Sequence, residues 1–527
     1  MQYIFLQAVL LVLVILFLVM FAQKLKVAYP IILVLGGLAL SFYPGGRVLS
    51  IEPEQIFIIF LPPLLYEAAW YTSWKEFWRW RRVIFSFAFL IVLLTSLIVA
   101  VISSAIIPGF SLALGFLLGG IVSPPDAVSA TSVLRYVKVP KRLSAIVEGE
   151  SLLNDAASLI VFRFALIAVD TGRFVFFEAA WSFVLVIVMG IAIGIAIALV
   201  YYVIHRWLPT NANMDIVLTL TAPYMMYIVA EMFHFSGVLA VVSGGLFLST
   251  RSHEILSHRS RIQGTNVWST LGFVLNGLVF MLIGLQLPVI TSELGSTSIW
   301  TAISYGVLIT VVLIVARLLS TLGASVFTVF ISRYITTADS RPGWRGPILI
   351  GWAGMRGVVS LAAAMSIPVY LSDGTAFPQR NLILFITFVV ILLTLVAQGL
   401  TLPWVIRKVN MADPDNHAPM EEQDCELRRL LSINAIEFLK QQDPSILRNN
   451  KALLDLQSKY EREQLVADPM IDQQQAEFRD IYLQLVEKQR EYLIELNKRP
   501  ELDEDIIRKY QGLMDLEEEK MRVRYEV

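Results

Sequence analysis

Residues 149–156 read GESLLNDA, and within that octet Ser151, Asn154 and Asp155 supply oxygen atoms, the ligand type that hard cations prefer. A single carboxylate can neutralise a monovalent cation or take up a proton, but hardly both together. Asp155 is therefore a candidate for competition between the two, which is exchange in its simplest form. At about 100° per residue, Glu150, Ser151, Asn154 and Asp155 fall within an arc of about 140° on a helix. They make one polar stripe on an otherwise apolar segment. A charged residue at the centre of a membrane helix costs about 2.5–3.5 kcal/mol on insertion scales, so these groups should face protein and be partnered. The blander use of the same residues is hydrogen bonding between helices.

A second chemical feature lies upstream. GFLLGGIVSPPDAVSATSVL (115–134) cannot be one uninterrupted helix, because Pro124 and Pro125 both lack an N–H and both crowd the preceding turn. Backbone carbonyls freed at that break, Pro125 included, would complete an oxygen cage, since lipid offers them no partner. Asp126 sits close to the start of the second half-helix, where negative charge is favoured; a plain kink with a capping aspartate is the alternative. GPILIGWAGMRGVVSLAAAMSIP (346–368) is a second weak helix, loosened by Gly351, Gly354 and Gly357 and carrying Arg356. Two further arginines lie in apolar surroundings, Arg163 on the helix of the octet and Arg317 in LIVARLLSTLG.

The elements that must position these groups are set by composition. The chain has 527 residues, 56% hydrophobic and 16% charged, against about 25% charged in soluble domains. This is an all-α polytopic membrane protein. Runs long enough to cross a bilayer, about 20 apolar residues each, occur near 3–22, 28–43, 54–71, 83–107, 112–134, 143–168, 175–204, 214–232, 236–250, 266–288, 298–331, 346–371 and 381–406. The first run lacks a basic leader and has spanning length, so it reads as a retained helix. With the end of span one inside, the inside loops hold nineteen Lys and Arg residues, among them Lys75, Arg79, Arg81, Arg82, Arg135, Lys138 and Arg142. The outside loops hold only Arg47, Arg173 and, at a border, Arg380. The positive-inside rule then puts the N-terminus outside and the C-terminal part in the cytoplasm. The two interrupted spans are the fifth and the twelfth, the spacing expected of two six-helix inverted repeats around a linking seventh span. Paired interruptions of this kind point to a transport site near the midplane.

Charge divides the chain again near residue 408. Residues 1–408 carry 25 basic and 16 acidic residues, and the remainder 17 basic and 27 acidic. We read 1–408 as the membrane domain, 409–421 as a linker and 422–527 as a cytoplasmic helical tail. The tail is punctuated by Pro444, Pro469 and Pro500. Leu427, Leu430, Leu431, Ile433, Ile436 and Leu439 suggest an apolar face in it that packs on the tail itself or on a twin subunit; a regulatory role is the alternative. One cysteine, Cys425, excludes an internal disulfide, and the five histidines show no metal-ligand spacing. No cofactor and no nucleic-acid partner is expected, since an acidic tail repels a phosphate backbone.

The octet GESLLNDA, preceded by SPPDAV and followed by GMRGVVSLA and QGLTLP (398–403), resembles the bacterial NhaP-type sodium/proton antiporters, relatives of the animal sodium/proton exchangers. The resemblance covers about residues 1–408. It implies that Asp155 is shared by Na+ and the proton, with Ser151, Glu150 and the Pro125 carbonyl lining the cation site. It implies that Asn154 supports the site, partly through Asp126, and that Glu150 pairs with Arg317. Arg356 would be structural or pH-responsive. It further implies a homodimer in the bacterial cytoplasmic membrane, with a core domain moving elevator-like against a dimerisation domain, serving pH and sodium homeostasis. Two departures bear on selectivity: Pro125 stands where many relatives carry Thr, and Asn276 stands where animal relatives carry an acid. Arg163 matches no role in the family, and a structural partner on another helix is expected.

Asn154 precedes Asp155 where an electrogenic exchanger would carry two adjacent aspartates, so electroneutral exchange of one cation for one proton is expected. Exchange of K+ rather than Na+ or Li+ is the nearest alternative, because the oxygen cages differ mainly in size. A cation channel would need a continuous polar pore, and an intramembrane aspartyl protease would need a second catalytic aspartate in a GxGD-like setting.

Overall fold

The computed structural model describes residues 2–42, 53–134, 137, 139–172, 176–292, 294, 298–332, 343–411, 420–442, 450–465, 470–497 and 504–525. Loop cations Arg47, Arg135, Lys138, Arg173, Arg333 and Arg341, most of the linker, and the punctuating Pro444, Pro469 and Pro500 lie outside the described residues. The chain resolves into two compact units, Met1–Ala412 and Asp413–Val527.

Every expected span of the first unit coincides with a helix or with an interrupted pair. The uninterrupted ones at the N-terminal end are α1 (Gln2–Leu25), α2 (Tyr29–Ser41) and α3 (Pro53–Tyr71). The fourth span runs as α4 (Trp74–Phe85), a π-helical stretch Ser86–Ile91, and α5 (Val92–Ile106). The fifth is broken into α6 (Leu112–Val122) and α7 (Ala127–Leu134), and the sixth is α8 (Lys141–Thr171). Next come α9 (Phe176–Trp207), α10 (Ala212–Met232), α11 (Gly237–Thr250), the short α12 (Ser252–Ile255), α13 (His258–Leu285) and the short α14 (Leu287–Ser292). α15 (Ile299–Ile331) precedes the second broken span, α16 (Arg345–Trp352) and α17 (Val358–Met365). The last span is α18 (Arg380–Leu393), a π-helical stretch Thr394–Gln398 and α19 (Gly399–Val409). Among the described residues, nine stretches are long and apolar enough to cross a membrane by themselves, and α2 and α11 are shorter apolar helices.

Small residues let the helices approach. On α6, a Cβ at Gly115 would lie 2.5 Å from the Ala100 carbonyl oxygen, and one at Gly119 would lie 2.5 Å from that of Ser96. Only glycine allows α5 and α6 to touch backbone to backbone, which is how helices associate where lipid removes the hydrophobic drive. Both π-helical stretches lie in spans that pack against the broken ones, and such bulges concentrate at functional sites.

Among the described residues, the helices of the second unit are Met420–Lys440, Lys451–Leu465, Met470–Leu496 and Glu504–Tyr525. The expected apolar face of its first helix is divided. Ile436 and Leu439 are buried together with Ser432, whereas Leu427, Leu430 and Leu431 remain exposed. The burial therefore favours the C-terminal half of that helix. The last two helices are joined by Arg490, which reaches Asp515 at 2.8 Å and Glu518 at 2.9 Å.

Candidate ion-binding site

The two breaks meet. α6 stops at Val122 and α7 starts at Ala127 because the intervening proline pair has no N–H to continue the ladder. Asp126 caps α7: its carboxylate accepts from the backbone N–H of Val128 at 3.1 Å and of Ser129 at 3.2 Å, and from the Ser129 hydroxyl. That is the N-cap role for which aspartate is favoured. The Asp126 N–H in turn donates to the Met355 carbonyl at 2.7 Å, inside the gap between α16 and α17. Gly357 is required there, since a Cβ on it would stand 2.5 Å from the Asp126 carboxylate.

Arg356 fastens the crossing from the other side. It is fully buried, and its Nε donates to the Val122 carbonyl at 2.9 Å, its Nη2 to the Ser123 carbonyl at 3.4 Å and its Nη1 to the Gly354 carbonyl. A cation placed on the last carbonyls of α6 satisfies groups that the proline break leaves open and complements the negative end of the helix. The π-helical turn of the last span adds Thr394, whose hydroxyl accepts from the Arg356 N–H at 3.2 Å.

A cavity of about 810 Å³ opens beside this crossing, and Asp155, Ser151, Asp126, Pro125, Asn276 and Glu148 are among the groups that line it. Ser151 faces the break: its hydroxyl oxygen accepts from the Ala127 N–H at 3.1 Å. A hydroxyl oxygen has a second lone pair, which remains for a ligand. Asn154 is fully buried and donates from Nδ2 to the Pro125 carbonyl at 2.9 Å. Asn154 was expected to support the site partly through Asp126; its hydrogen bond goes to the carbonyl of the residue before it, Pro125, while the Asp126 carboxylate caps α7.

The polar stripe of α8 splits into two. Glu150 is 1% exposed and belongs to the interior: both its oxygens accept from Arg317 Nη2 at 2.8 Å. It is not among the residues that line the cavity, whereas Ser151 and Asp155, expected beside it, are. The reason is angular. Glu150 stands about 140° around the helix from Asp155, and Arg317 of α15 approaches from that far side. Asp155, Ser151, Glu148 and Ser144 share the cavity side. Glu148 escaped the sequence reading although its signal was present, three residues before Ser151 and seven before Asp155. Glu67 of α3 also lines the cavity; it comes from a distant helix, and its place could be read only from the fold. Arg163 has the interhelical partner expected of it, Glu231 on α10, while Glu231 also receives the Gly237 N–H at 3.1 Å.

Residues 9–408 match the transmembrane region of the sodium/hydrogen exchangers. The chain belongs to the sodium/hydrogen exchanger family. Within this family it is 32% identical over 424 residues to a sodium, potassium, lithium and rubidium/H(+) antiporter of Bacillus pumilus, covering 78% of this chain. The match spans 62% of that protein's own length. It is 33% identical over 393 residues to the Na(+)/H(+) antiporter ApNhaP of Aphanothece halophytica, covering 73% of this chain and 70% of that one. The structure of the sodium proton antiporter MjNhaP1 from Methanocaldococcus jannaschii superposes with a TM-score of 0.61 at 17% identity, covering 76% of this chain and 97% of the other. The likeness to MjNhaP1 is one of fold. This exchanger-family chain is a multi-pass membrane protein, and its C-terminal unit lies beyond the matched region.

Proposed function

We propose that the chain is a secondary antiporter that exchanges Na+ or Li+ for H+, one for one and without net charge movement, by alternating access at Asp155. The observation that carries the reading is the Asp155 carboxylate on the cavity wall of α8 beside the Ser151 hydroxyl, flanked by an amide, Asn154, that is turned to the Pro125 carbonyl at the break. The cation would sit on Asp155, the free lone pair of Ser151 and the remaining lone pair of the Pro125 carbonyl, all hard-oxygen ligands. Protonating Asp155 removes the negative charge that holds the cation, so proton and cation displace each other at one group. Both loaded forms are neutral there, which is the condition for a crossing that the membrane potential does not drive.

The remaining machinery holds this group in place. Arg317 and Glu150 tie α15 to α8, and Arg356 ties the two broken spans together, so the site can travel as one body. Movement of that body against the remaining helices would expose the cavity to each side in turn. The loop cations support an orientation with the N-terminus outside and the tail in the cytoplasm, in a cytoplasmic membrane. α1 and α9 keep most of their surface uncovered within one chain, which supports a homodimer. Sodium and pH homeostasis follow as the physiological role.

The test is proton flux in proteoliposomes. An imposed pH gradient should drive saturable uptake of Na+ or Li+, and collapsing the membrane potential should leave the initial rate unchanged. Strong dependence on potential overturns the electroneutral reading. K+/H+ exchange is the second reading, supported by the Bacillus pumilus relative, whose name includes potassium; flux with K+ exceeding that with Na+ would select it.

A further inference from the structure

A second cavity, of about 1060 Å³, lies on the other side of α8, between the α4–α5 span and α15. One wall carries Leu90, Leu94 and Ile98, and the facing wall carries Leu319, Gly323 and Phe327, each set spaced by four residues along its helix. Leu90 and Leu319 are each 64% exposed, so this is a furrow open along its length. A Cβ at Gly323 would meet nothing within 4 Å. One end is different in kind. Arg79, Arg81, Arg82 and Arg142 line it, and each guanidinium carries five N–H donors. Trp80 lies at the same end, with the Arg79 guanidinium 5.4 Å and the Arg142 guanidinium 5.7 Å from its ring centre. Its indole N–H is buried and has no acceptor among the described residues.

We propose that this furrow binds an anionic phospholipid, with the phosphate among the arginines and an acyl chain along the walls. Charge complementarity selects the occupant. Four guanidiniums at a membrane boundary form a basic pocket between transmembrane helices, which favours an acidic headgroup. The orphan indole N–H supplies a further donor in search of an acceptor. Length agrees as well. From Arg82 to Ile98 the span rises about 24 Å, enough for a headgroup and a chain crossing one leaflet of about 15 Å. A zwitterionic lipid would bring its own cation to the arginines, and a free phosphate would leave both apolar walls without a partner. The lipid would bridge α4–α5, α15 and the start of α8, and the last two of these carry the Glu150–Arg317 pair. The proposal does not depend on which ion is exchanged.

The test uses the full-length chain, delipidated in detergent, with binding counted by native mass spectrometry. Phosphatidylglycerol, phosphatidylcholine with the same acyl chains and inorganic phosphate are titrated in parallel. Phosphatidylglycerol should bind at least about fivefold more tightly than phosphatidylcholine, and R79Q/R81Q should weaken it about 25-fold, on the order of fivefold for each charge removed. G323W should reduce binding of both lipids by filling the furrow. Equal binding of the two lipids by the native chain overturns the proposal without recourse to any variant. So does displacement of phosphatidylglycerol by millimolar phosphate, which would mark a plain anion site, or undiminished lipid binding in folded G323W. Occupancy of the furrow by a second copy would appear as lipid binding that falls with protein concentration, and would equally overturn it.

Discussion

Glu150 and Asp155 stand five residues apart on one helix and have opposite fates. Glu150 is closed off from the cavity, with both oxygens held by Arg317. Asp155 lies on the cavity wall, and among the described residues no protein group donates a hydrogen bond to its carboxylate. A buried carboxylate that is already paired can change its charge only by leaving a guanidinium uncompensated in low dielectric. An open one can exchange its counter-ion with whatever enters. The helix thus separates a fixed charge from an exchangeable one by rotation alone, about 140° of it.

The sharpest way to break this contrast is at Asp155. Asp155→Asn keeps the shape and removes the exchangeable charge, so proton-coupled cation flux should fall to the background of empty liposomes while melting temperature stays near that of the native chain. Retained flux would move the exchange chemistry elsewhere. Glu150→Ala should do the reverse in kind. It leaves Arg317 charged and unpaired, a loss of about 3–5 kcal/mol for a broken buried pair, read as a lower detergent melting temperature. Replacing both partners, Glu150→Leu with Arg317→Met, should recover most of that stability, because paired removal leaves no orphan charge. If the single variant melts like the native chain, the pair is not a brace.

Two smaller effects sharpen the boundary between these faces. Asn154→Asp would set a carboxylate oxygen against the Pro125 carbonyl where the amide now donates at 2.9 Å. Stability should fall by about 1–3 kcal/mol, the usual loss when a buried acceptor goes unsatisfied, and Asn154→Ala should cost a similar amount. A stable Asn154→Asp chain would mean that the amide does not hold the break. Ser151→Ala removes one proposed cation ligand and the acceptor for the Ala127 N–H. The apparent KM for the cation should rise about fivefold, an energy on the order of 1 kcal/mol, with the maximal rate little changed. A changed rate at constant KM would make Ser151 a structural residue only.

Hydropathy and proline placement made the thirteen spans and the first break legible, because both are local properties of the chain. The Glu150–Arg317 pair was legible only through the family resemblance, since the residues alone offered two embedded arginines, Arg163 and Arg317, as partners for an embedded acid. What failed was treating one arc as one face. Glu150 and Asp155 lie at opposite ends of a 140° arc, and only the position of α15 decides that the arc is divided. Glu148 was missed for the complementary reason: attention to the octet hid the heptad spacing that puts it on the Asp155 side. Glu67 was not legible at all, because nothing near residue 67 says that α3 borders the same cavity. The tail misled in the same way, for periodicity marked Leu427, Leu430 and Leu431 as apolar without revealing which of them gain a neighbour.

The smallest expected effect comes from the tail, where the chemistry of Glu150 and Arg317 recurs in water. Arg490 and Arg522 hydrogen-bond Glu518, at 2.9 and 2.8 Å, and hold its carboxyl below the usual glutamate range. A carboxyl depressed by folding stabilises the fold at any pH above its unfolded value, about 4.3, and loses that contribution as pH falls through the folded value. Glu518→Gln in the full chain should therefore speed amide exchange in helices 470–496 and 504–525 at neutral pH, by no more than the fivefold that about 1 kcal/mol allows for an exposed pair. The difference from the native chain should vanish once pH drops below the glutamate range. Raising salt should shrink it as well, because exposed pairs are screened, whereas the loss caused by Glu150→Ala should hardly respond to salt, its partners being sealed from ions. If salt weakens both effects equally, burial does not distinguish the two pairs, and the contrast between fixed and exchangeable charge on α8 must rest on Asp155 alone.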